Sequence, residues 1–227
     1  SLTGLNQHTG NWPGKTVTNV TGKYIYKEKE FIIVDIPGTY SLMANSVEEE
    51  VARDFICFGN PDITVVITDA TCLERNLNLV LQTIEITKNV IVCVNLMDEA
   101  KRKGIKIDLK KLSQLLGVKV VGTSANTEEG IEQLKEEIYK NINQEPISIR
   151  YNECIERAIS LIEEKINIRW LSLKLLEEDE TLLNSIKNYT NINLNDKELK
   201  NTIDEAKKII INEGFDNDKF RDEIVST

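Results

Sequence analysis

Several features are scarce in this chain of 227 residues, and each scarcity disfavours a class of protein. Its four cysteines are dispersed without C-x-x-C spacing, so we expect free thiols in a reducing compartment rather than disulfides or a cysteine-built zinc site. No run of about 18 apolar residues occurs, so no membrane span is predicted. The net charge of -9 at pH 7 disfavours nucleic acid and anionic lipid as partners, because both attract a basic surface.

A phosphate-binding loop is also missing. In many nucleotide-binding proteins the motif G-x-x-x-x-G-K-[ST] follows the first strand, and its N–H groups and lysine hold the phosphates. The string Gly14-Lys15-Thr16 imitates the end of this motif. However, Gly10 precedes it one residue too closely, and Pro13 interrupts the loop. We therefore expect no phosphate loop within this stretch of sequence.

Three short polar motifs are present, and each directly follows a β-branched apolar run. The runs occupy residues 31–34, 90–94 and 118–121, and they predict buried parallel strands. Ligands in open α/β sheets bind where such strands end. The motifs are Asp35-Ile36-Pro37-Gly38, Asn95-Leu96-Met97-Asp98 and Thr123-Ser124-Ala125. The order D-x-x-G, N-x-x-D, S-A is typical of a guanine-nucleotide site in a GTPase.

The residue types of the second and third motifs suit guanine. The Asp98 carboxylate can accept hydrogen bonds from both N1–H and the exocyclic amine of guanine, a donor pair that adenine lacks. Asn95 is predicted to brace the neighbouring loops. The Ser124-Ala125 turn is predicted to offer backbone N–H groups to the guanine O6 atom. Taken singly, however, the N-x-x-D motif could equally be an Asx turn or a helix cap.

The first motif suits phosphate and magnesium. Asp35 ends its strand, where it can hold Mg²⁺ through water. Gly38 leaves room for its backbone N–H to approach a γ-phosphate. An ordinary turn at the end of a strand is the alternative reading of this motif alone.

The pattern of elements predicts an α/β fold followed by a helical region. A strand pair is expected at residues 23–27 and 30–35, joined by a turn at residues 28–29. Strands at 63–68, 90–94 and 118–121 alternate with helices at 74–88, 108–116 and 130–142, which is typical of a layered parallel sheet. The composition changes near residues 144–146, and beyond it two apolar stripes with helical spacing predict a small bundle. The predicted domains are residues 1–145 and residues 146–227.

Longer strings carry a specific resemblance. Residues 1–17, SLTGLNQHTGNWPGKTV, resemble the end of the first helix and the switch I loop of FeoB, a family of bacterial ferrous iron transporters. The resemblance continues through DIPGTYSL at 35–42, DATCLERNL at 69–77, NLMDEA at 95–100 and GIKID at 104–108. It implies a three-layer, Ras-like P-loop GTPase fold that here lacks its first strand and phosphate loop. We expect the natural protein to continue towards the N-terminus.

The resemblance also implies site residues and cofactors. Thr16 is then the switch I threonine that coordinates magnesium and reports the γ-phosphate, with Gly14, Lys15 and Val17 beside it in the nucleotide site. Thr39, next to Gly38, occupies the position where Ras-like enzymes carry a water-orienting glutamine. Its shorter side chain predicts slow intrinsic turnover, impaired further if the phosphate loop is truly absent. The implied cofactors are GTP or GDP, Mg²⁺ and an activating K⁺ ion.

Partners and location follow from the same resemblance. Residues 146–227 correspond to a helical domain that acts like a GDP-dissociation inhibitor and links the GTPase to a membrane permease region beyond residue 227. Small companion iron-transport proteins and an oligomer are further implied partners. The fragment itself is expected to be soluble, at the cytoplasmic face of the bacterial inner membrane. Two other functions stay open: a pseudo-GTPase interaction module, and a soluble translation-associated GTPase.

Overall fold

A computed structural model describes residues 7–11, 18–42, 46–87, 89–142, 150–177, 186, 190 and 192–226. The chain divides into two compact units, residues 1–147 and residues 148–227. Each unit is described by itself.

The first unit begins with an antiparallel sheet of three strands in the order β1-β2-β3. The strands are β1 (Gln7–Asn11), β2 (Thr18–Tyr26) and β3 (Lys29–Asp35). The predicted strand pair is confirmed, but its turn lies at Lys27 and Glu28 rather than at residues 28–29. Both turn residues have positive φ, 49° and 64°, which is the backbone twist that a two-residue hairpin turn needs.

A second, parallel sheet contains three strands in the order β4-β5-β6. These are β4 (Thr64–Asp69), β5 (Val90–Asn95) and β6 (Lys119–Gly122). The helices around it are α2 (Leu73–Ile86), α3 (Met97–Arg102), α4 (Leu109–Leu116) and α5 (Ile131–Asn141). The predicted alternation of strands and helices is confirmed, and α3 is an addition to it. Residues 90–94 are buried, as expected for a strand covered on both faces.

The two sheets do not join through any of the described strands. Among the described strands, β3 pairs only with β2 and β4 pairs only with β5. Ile67 in β4 is 67% exposed although its neighbour Val66 is buried. Parallel strands of α/β proteins are normally covered on both faces. The layered α/β prediction therefore holds for β4-β5-β6, while β3 and β4 each keep one unpaired edge.

Helix α1 (Val47–Phe58) lies between the two sheets in the sequence and packs against the segment that follows β3. Ser46 caps the helix, because its Oγ accepts a hydrogen bond from the Glu49 N–H at 3.2 Å. Ala52 and Ile56 of α1 form a buried cluster with Leu42. This cluster holds the end of the segment 36–42 that carries the D-x-x-G motif.

The second unit is helical. Its elements are α6 (Glu153–Ile166), α7 (Arg169–Glu177), α8 (Lys197–Asn212) and α9 (Asn217–Ser226). The two predicted apolar stripes are confirmed, since residues of both α6 and α8 lie in one buried core. Asp196 caps α8 by accepting a hydrogen bond from the Leu199 N–H at 3.0 Å. In the part of the chain that the structure describes, no helix is long and apolar enough to cross a membrane.

Candidate functional site

The loops that follow β5 and β6 are joined by backbone hydrogen bonds. The Thr123 N–H donates to the Val94 carbonyl at 2.8 Å, and the Met97 N–H donates to the Thr123 carbonyl at 3.1 Å. The second and third sequence motifs therefore meet at the carboxyl edge of the parallel sheet, where ligands bind in this class of fold.

Asn95 joins the two loops through its side chain. Its Oδ1 accepts a hydrogen bond from the Thr123 hydroxyl at 3.1 Å and another from the Ala125 N–H at 3.1 Å. Its backbone carbonyl accepts from the Ala70 N–H at 2.9 Å, which adds the loop after β4 to the same assembly. Thr123 is buried, which shields its bond to Asn95 from water, whereas Ala125 is exposed.

The Asp98 carboxylate contains one oxygen atom that accepts no hydrogen bond in the described structure. Its backbone N–H donates to the Ser124 Oγ at 3.1 Å, which fixes the start of α3 against the loop after β6. Its Oδ1 atom is buried and has no hydrogen-bond partner in the described structure. Its Oδ2 lies 3.7 Å from the Arg102 guanidinium. Because leaving a buried polar atom unsatisfied costs about 1–3 kcal/mol, Oδ1 is suited to a ligand that brings N–H donors.

The backbone donors of the third motif are already in use. The Ser124 N–H donates to the Glu129 carbonyl at 2.9 Å, and the Ala125 N–H donates to Asn95. These are the two groups that the sequence assigned to the guanine O6 atom. In this conformation the two N–H groups can donate to a ligand only after they give up their hydrogen bonds to Glu129 and Asn95.

Gly130 closes the same loop and was not among the predicted site residues. It adopts φ +79°, and a Cβ atom there would lie 2.1 Å from the Gly122 carbonyl oxygen. Glycine is therefore required both by the backbone conformation and by the close approach. The signal available in the sequence was a glycine after a run of polar residues, just ahead of a helix.

The two middle residues of N-x-x-D shape the turn. Leu96 adopts a left-handed conformation with φ 62° and ψ 35°, which costs a non-glycine residue about 1–2 kcal/mol. Met97 packs its side chain against the core of the parallel sheet. The structure thus places Asn95 and Asp98 on either side of a strained turn, a feature that is frequent at functional sites.

The first motif lies on a different element, and the prediction that residues 31–34 form a buried parallel strand is wrong for the described structure, because β3 pairs antiparallel with β2 and Ile32 is exposed. Asp35 is exposed at the end of β3, and Ile36 packs against the cluster around α1. Gly38 has a negative φ, and no described atom lies within 4 Å of a Cβ built there. Neither its conformation nor its surroundings in the described chain require glycine. The neighbouring Pro37 is partly buried.

Thr39 directs its hydroxyl back into its own turn. Its Oγ1 donates to the Ser41 carbonyl at 2.6 Å and accepts from the Ser41 N–H at 3.2 Å. Helix α2 holds the same segment, because the Gln82 Oε1 accepts from the Leu42 N–H at 2.7 Å. The Arg75 guanidinium, also on α2, stacks on the Tyr40 ring at 4.3 Å from the ring centroid.

Other predicted site residues are not brought together. Gly14, Lys15, Thr16 and Val17 lie outside the described residues. Within the described ranges, no hydrogen bond or ion pair joins the segment 35–39 to the loops after β5 and β6. No group of three metal-binding side chains was found among the residues described.

An open cavity of about 570 Å³ adjoins Asp98. Its lining includes Lys101, Arg102 and Lys106, together with the carboxylate of Glu129. The three cationic side chains of this lining stand beside the apolar Met97, Ile105 and Ile107.

The family comparisons cover almost the whole chain. A family model described as ferrous iron transport protein B matches residues 1–138, and one described as the FeoB cytosolic helical domain matches residues 150–227. The Fe(2+) transporter FeoB of Methanocaldococcus jannaschii is 43% identical over 197 residues, which cover 83% of this chain. The chain spans only 30% of that relative and 25% of the Salmonella typhimurium one.

Solved structures of FeoB cytosolic domains are similar to this chain as well. The cytosolic domain of the T. maritima FeoB iron transporter in its GMPPNP form has a TM-score of 0.70 and 32% identity, covering 93% of this chain and 90% of that one. An S. thermophilus NFeoB mutant bound to mGDP has a TM-score of 0.76 and 31% identity, covering 99% of this chain and 86% of that one. The predicted fold class, an α/β GTPase-type domain followed by a helical domain, is confirmed.

Proposed function

Since the chain belongs to the ferrous iron transport protein B family, FeoB, we propose that it is the GTP-binding and GTP-hydrolysing cytosolic region of a ferrous iron transporter. It regulates or drives Fe(II) uptake across a bacterial membrane. The family match does not favour the two alternatives, a pseudo-GTPase module and a translation-associated GTPase.

The buried, unpartnered Oδ1 of Asp98 is the observation that carries this proposal. An ionised carboxylate accepts hydrogen bonds and cannot donate them. Guanine presents two adjacent donors, N1–H and the exocyclic amine, that match the two oxygens of one carboxylate. Adenine presents an acceptor at N1 and would leave the buried Oδ1 unsatisfied, so Asp98 discriminates between the two bases.

The other loop residues position the base. Asn95, Leu96 and Met97 hold the turn that presents Asp98, while Thr123 fixes the side chain of Asn95. Ser124 and Ala125 supply N–H donors to the guanine O6 once their bonds to Glu129 and Asn95 are exchanged. This exchange makes base binding depend on a rearrangement of the loop 124–130.

We assign phosphate binding to the D-x-x-G motif and the segment 14–17, which form the phosphate edge of the site. Asp35 and Thr16 offer oxygen atoms, the ligand type that Mg²⁺ prefers, and they would hold that ion. When bound, Mg²⁺ neutralises negative charge on the phosphates. Gly38 would bring its backbone N–H to the γ-phosphate, and no described atom lies within 4 Å of a Cβ built there. Ile36, Pro37, Gly14, Lys15 and Val17 complete this edge, and K⁺ is an activating ion by resemblance.

Hydrolysis by water at the γ-phosphate is proposed to be slow. The Thr39 hydroxyl uses its proton and one lone pair in bonds to Ser41, so only its second lone pair is available to orient an attacking water. Its side chain is also too short to reach as a glutamine would. Backbone donors such as the Gly38 N–H then provide most of the stabilisation of charge in the transition state.

The unpaired edges of β3 and β4 suit a further parallel strand between them. We assign this place to a strand that leads into a phosphate loop and would also cover Ile67. The helical domain, residues 146–227, is proposed to slow nucleotide release and to lead into a permease region. The assigned location is the cytoplasmic face of the inner membrane, with companion iron-transport proteins or further copies of the chain as partners.

Calorimetric titration with GTP and ATP tests the function. The chain of 227 residues and a version extended through a phosphate loop are compared. We expect both to prefer GTP over ATP, because both contain Asp98, and we expect the extended version to bind GTP much more tightly. Equal affinity for GTP and ATP would contradict base recognition, and matching GTP affinities of the two versions would contradict the assigned phosphate site.

A further inference from the structure

Cys93 contacts the base-recognition loops from inside the sheet. It lies in β5 two residues before Asn95, so both side chains leave the strand on the same face. It is only 4% exposed. Its Sγ atom lies 3.3 Å from the Thr123 Oγ1, and either atom could supply the proton of a hydrogen bond. The neighbouring bonds decide which one does.

The orientation of the Asn95 amide is settled by Ala125. A backbone N–H can only donate, so the Asn95 atom that it meets at 3.1 Å is the oxygen Oδ1 and not the nitrogen. The Thr123 Oγ1 lies 3.1 Å from the same Oδ1. Two oxygen atoms at this distance need a proton between them, and only the Thr123 hydroxyl carries one.

The hydroxyl of Thr123 therefore has no proton left for Cys93. A hydroxyl has one proton and two lone pairs, so towards Cys93 it can only accept. The bonds then run in one direction, from the Cys93 S–H to Thr123 and from Thr123 to Asn95. Burial, the largest effect on this thiol, raises the pKa of Cys93, so the proton that this chain of bonds needs is retained at neutral pH.

We propose that Cys93 is a positioning residue for base recognition, whose S–H holds the Thr123 hydroxyl proton on Asn95 Oδ1. The bond from Thr123 keeps Oδ1 on the loop even when the Ala125 N–H is exchanged to guanine O6, so the Nδ2 donors of Asn95 stay turned away from that loop. Guanine offers the acceptor N7 to such donors. This step rests on the proposed function, whereas the direction of the bonds rests on geometry alone.

Infrared spectroscopy of the S–H stretching band tests the direction without nucleotide. The spectrum of the protein minus that of Cys93→Val isolates the Cys93 band. We expect it below the position of a free thiol, shifted upwards in Thr123→Val and kept low in Thr123→Ser. The band of Cys154, a buried thiol of the second unit, is the control and stays unchanged in Thr123→Val. A Cys93 band at the free-thiol position that Thr123→Val leaves unmoved would overturn the proposal.

GDP binding tests the positioning role. We expect Cys93→Val to weaken GDP binding about 2- to 10-fold, the loss of one hydrogen bond, and Cys93→Ser to restore most of it because serine keeps a donor. Circular dichroism verifies that each variant is folded. Equal GDP affinity of the protein and Cys93→Val would overturn the role in recognition. No preference for GDP over ADP in the unaltered protein would instead overturn the proposed function, while the infrared result still decides the thiol bond.

Discussion

Single residues of the loop 122–130 have little freedom to change. Gly130 meets the Gly122 carbonyl so closely that any side chain there must displace backbone. Gly104 has a similar left-handed φ of +73°, but no described atom lies within 4 Å of a Cβ built there. Comparing the two glycines therefore separates the free-energy cost of a left-handed backbone from the cost of a steric clash with Gly122.

Substituting alanine at these glycines is expected to have unequal effects. Gly104→Ala should lower the free energy of unfolding by about 1–2 kcal/mol, the cost of a left-handed residue. Gly130→Ala should lower it by more than about 3 kcal/mol, because the collision with Gly122 is added. Equilibrium urea unfolding of both variants measures the difference. Equal losses would mean that the approach of Gly130 to Gly122 is looser than described.

At the scale of elements, a charged contact ties the β2–β3 hairpin to α5. Glu136 accepts a hydrogen bond from the Tyr26 hydroxyl at 2.9 Å and pairs with the Lys27 ammonium at 2.6 Å. The Lys27 ammonium also lies 5.2 Å from the centroid of the Tyr139 ring. The hydrogen bonds from Lys27 and Tyr26 lower the pKa of Glu136 to about 2.

This contact predicts a dependence of stability on pH. Because the pKa of Glu136 is lower in the folded protein than its usual value of 4.5, its contribution is present above pH 4.5 and is lost as the pH falls towards about 2. The difference in unfolding free energy between the protein and Glu136→Gln should therefore shrink over that range. Chemical denaturation at a series of pH values measures it.

The control for this experiment is Glu132→Gln on the same helix. Glu132 is 72% exposed and pairs only with Lys135 among the described contacts, so its effect should be small at every pH. A Glu136→Gln difference that stays constant between pH 5 and pH 2 would contradict the assigned pKa.

The sequence predicted those helices and strands whose own residues show a clear apolar pattern. The β-branched runs marked β4, β5 and β6, and apolar spacing marked α6 and α8. Helix α3 was missed because its six residues are mostly polar. Strand β1 was missed because its sequence, QHTGN, forms a strand only through pairing with β2. The hairpin turn was misplaced by one residue because Lys27 and Glu28 are not typical of positive φ.

The same division holds for the site. The motifs predicted that Asn95, Asp98 and Thr123 lie at the ends of strands, and the structure places them there. The prediction that Asn95 braces the neighbouring loops is confirmed by its bonds to Thr123 and Ala125. The exact partners could not be predicted, since Asn95 and Thr123 are 28 residues apart and meet only through the parallel register of β5 and β6. The use of the Ser124 and Ala125 N–H groups within the loop was likewise visible only in three dimensions.

On the scale of the whole molecule, each compact unit has a hydrophobic core of its own. The core of the second unit is drawn from residues 151–224, and the cores of the first unit come from residues 24–142. Within the described residues, each of these cores is formed by residues of one unit alone. The first unit should therefore fold when residues 151–227 are removed.

Deleting residues 151–227 tests the inhibitor role proposed for the helical domain. In a version that contains a phosphate loop, we expect GDP release to accelerate about 5- to 150-fold, the usual range of coupling between two sites. Stopped-flow release of a fluorescent GDP analogue measures the rate, and circular dichroism verifies the fold. An unchanged rate in a folded deletion would leave the helical domain without influence on the nucleotide.

The central claim is that Asp98 reads guanine, and a switch of base specificity tests it most directly. Asp98→Asn replaces an acceptor by an amide that can donate, so it should pair with xanthine, which carries a carbonyl oxygen where guanine has its amine. In a version with a phosphate loop, GTP affinity should fall by at least about 2 kcal/mol, roughly 30-fold, while XTP affinity rises. The control is Glu132→Gln, a carboxylate on α5 that pairs with Lys135, and it should leave both affinities unchanged. Competition titration with GTP and XTP would contradict the claim if Asp98→Asn still preferred GTP as strongly as the unaltered protein.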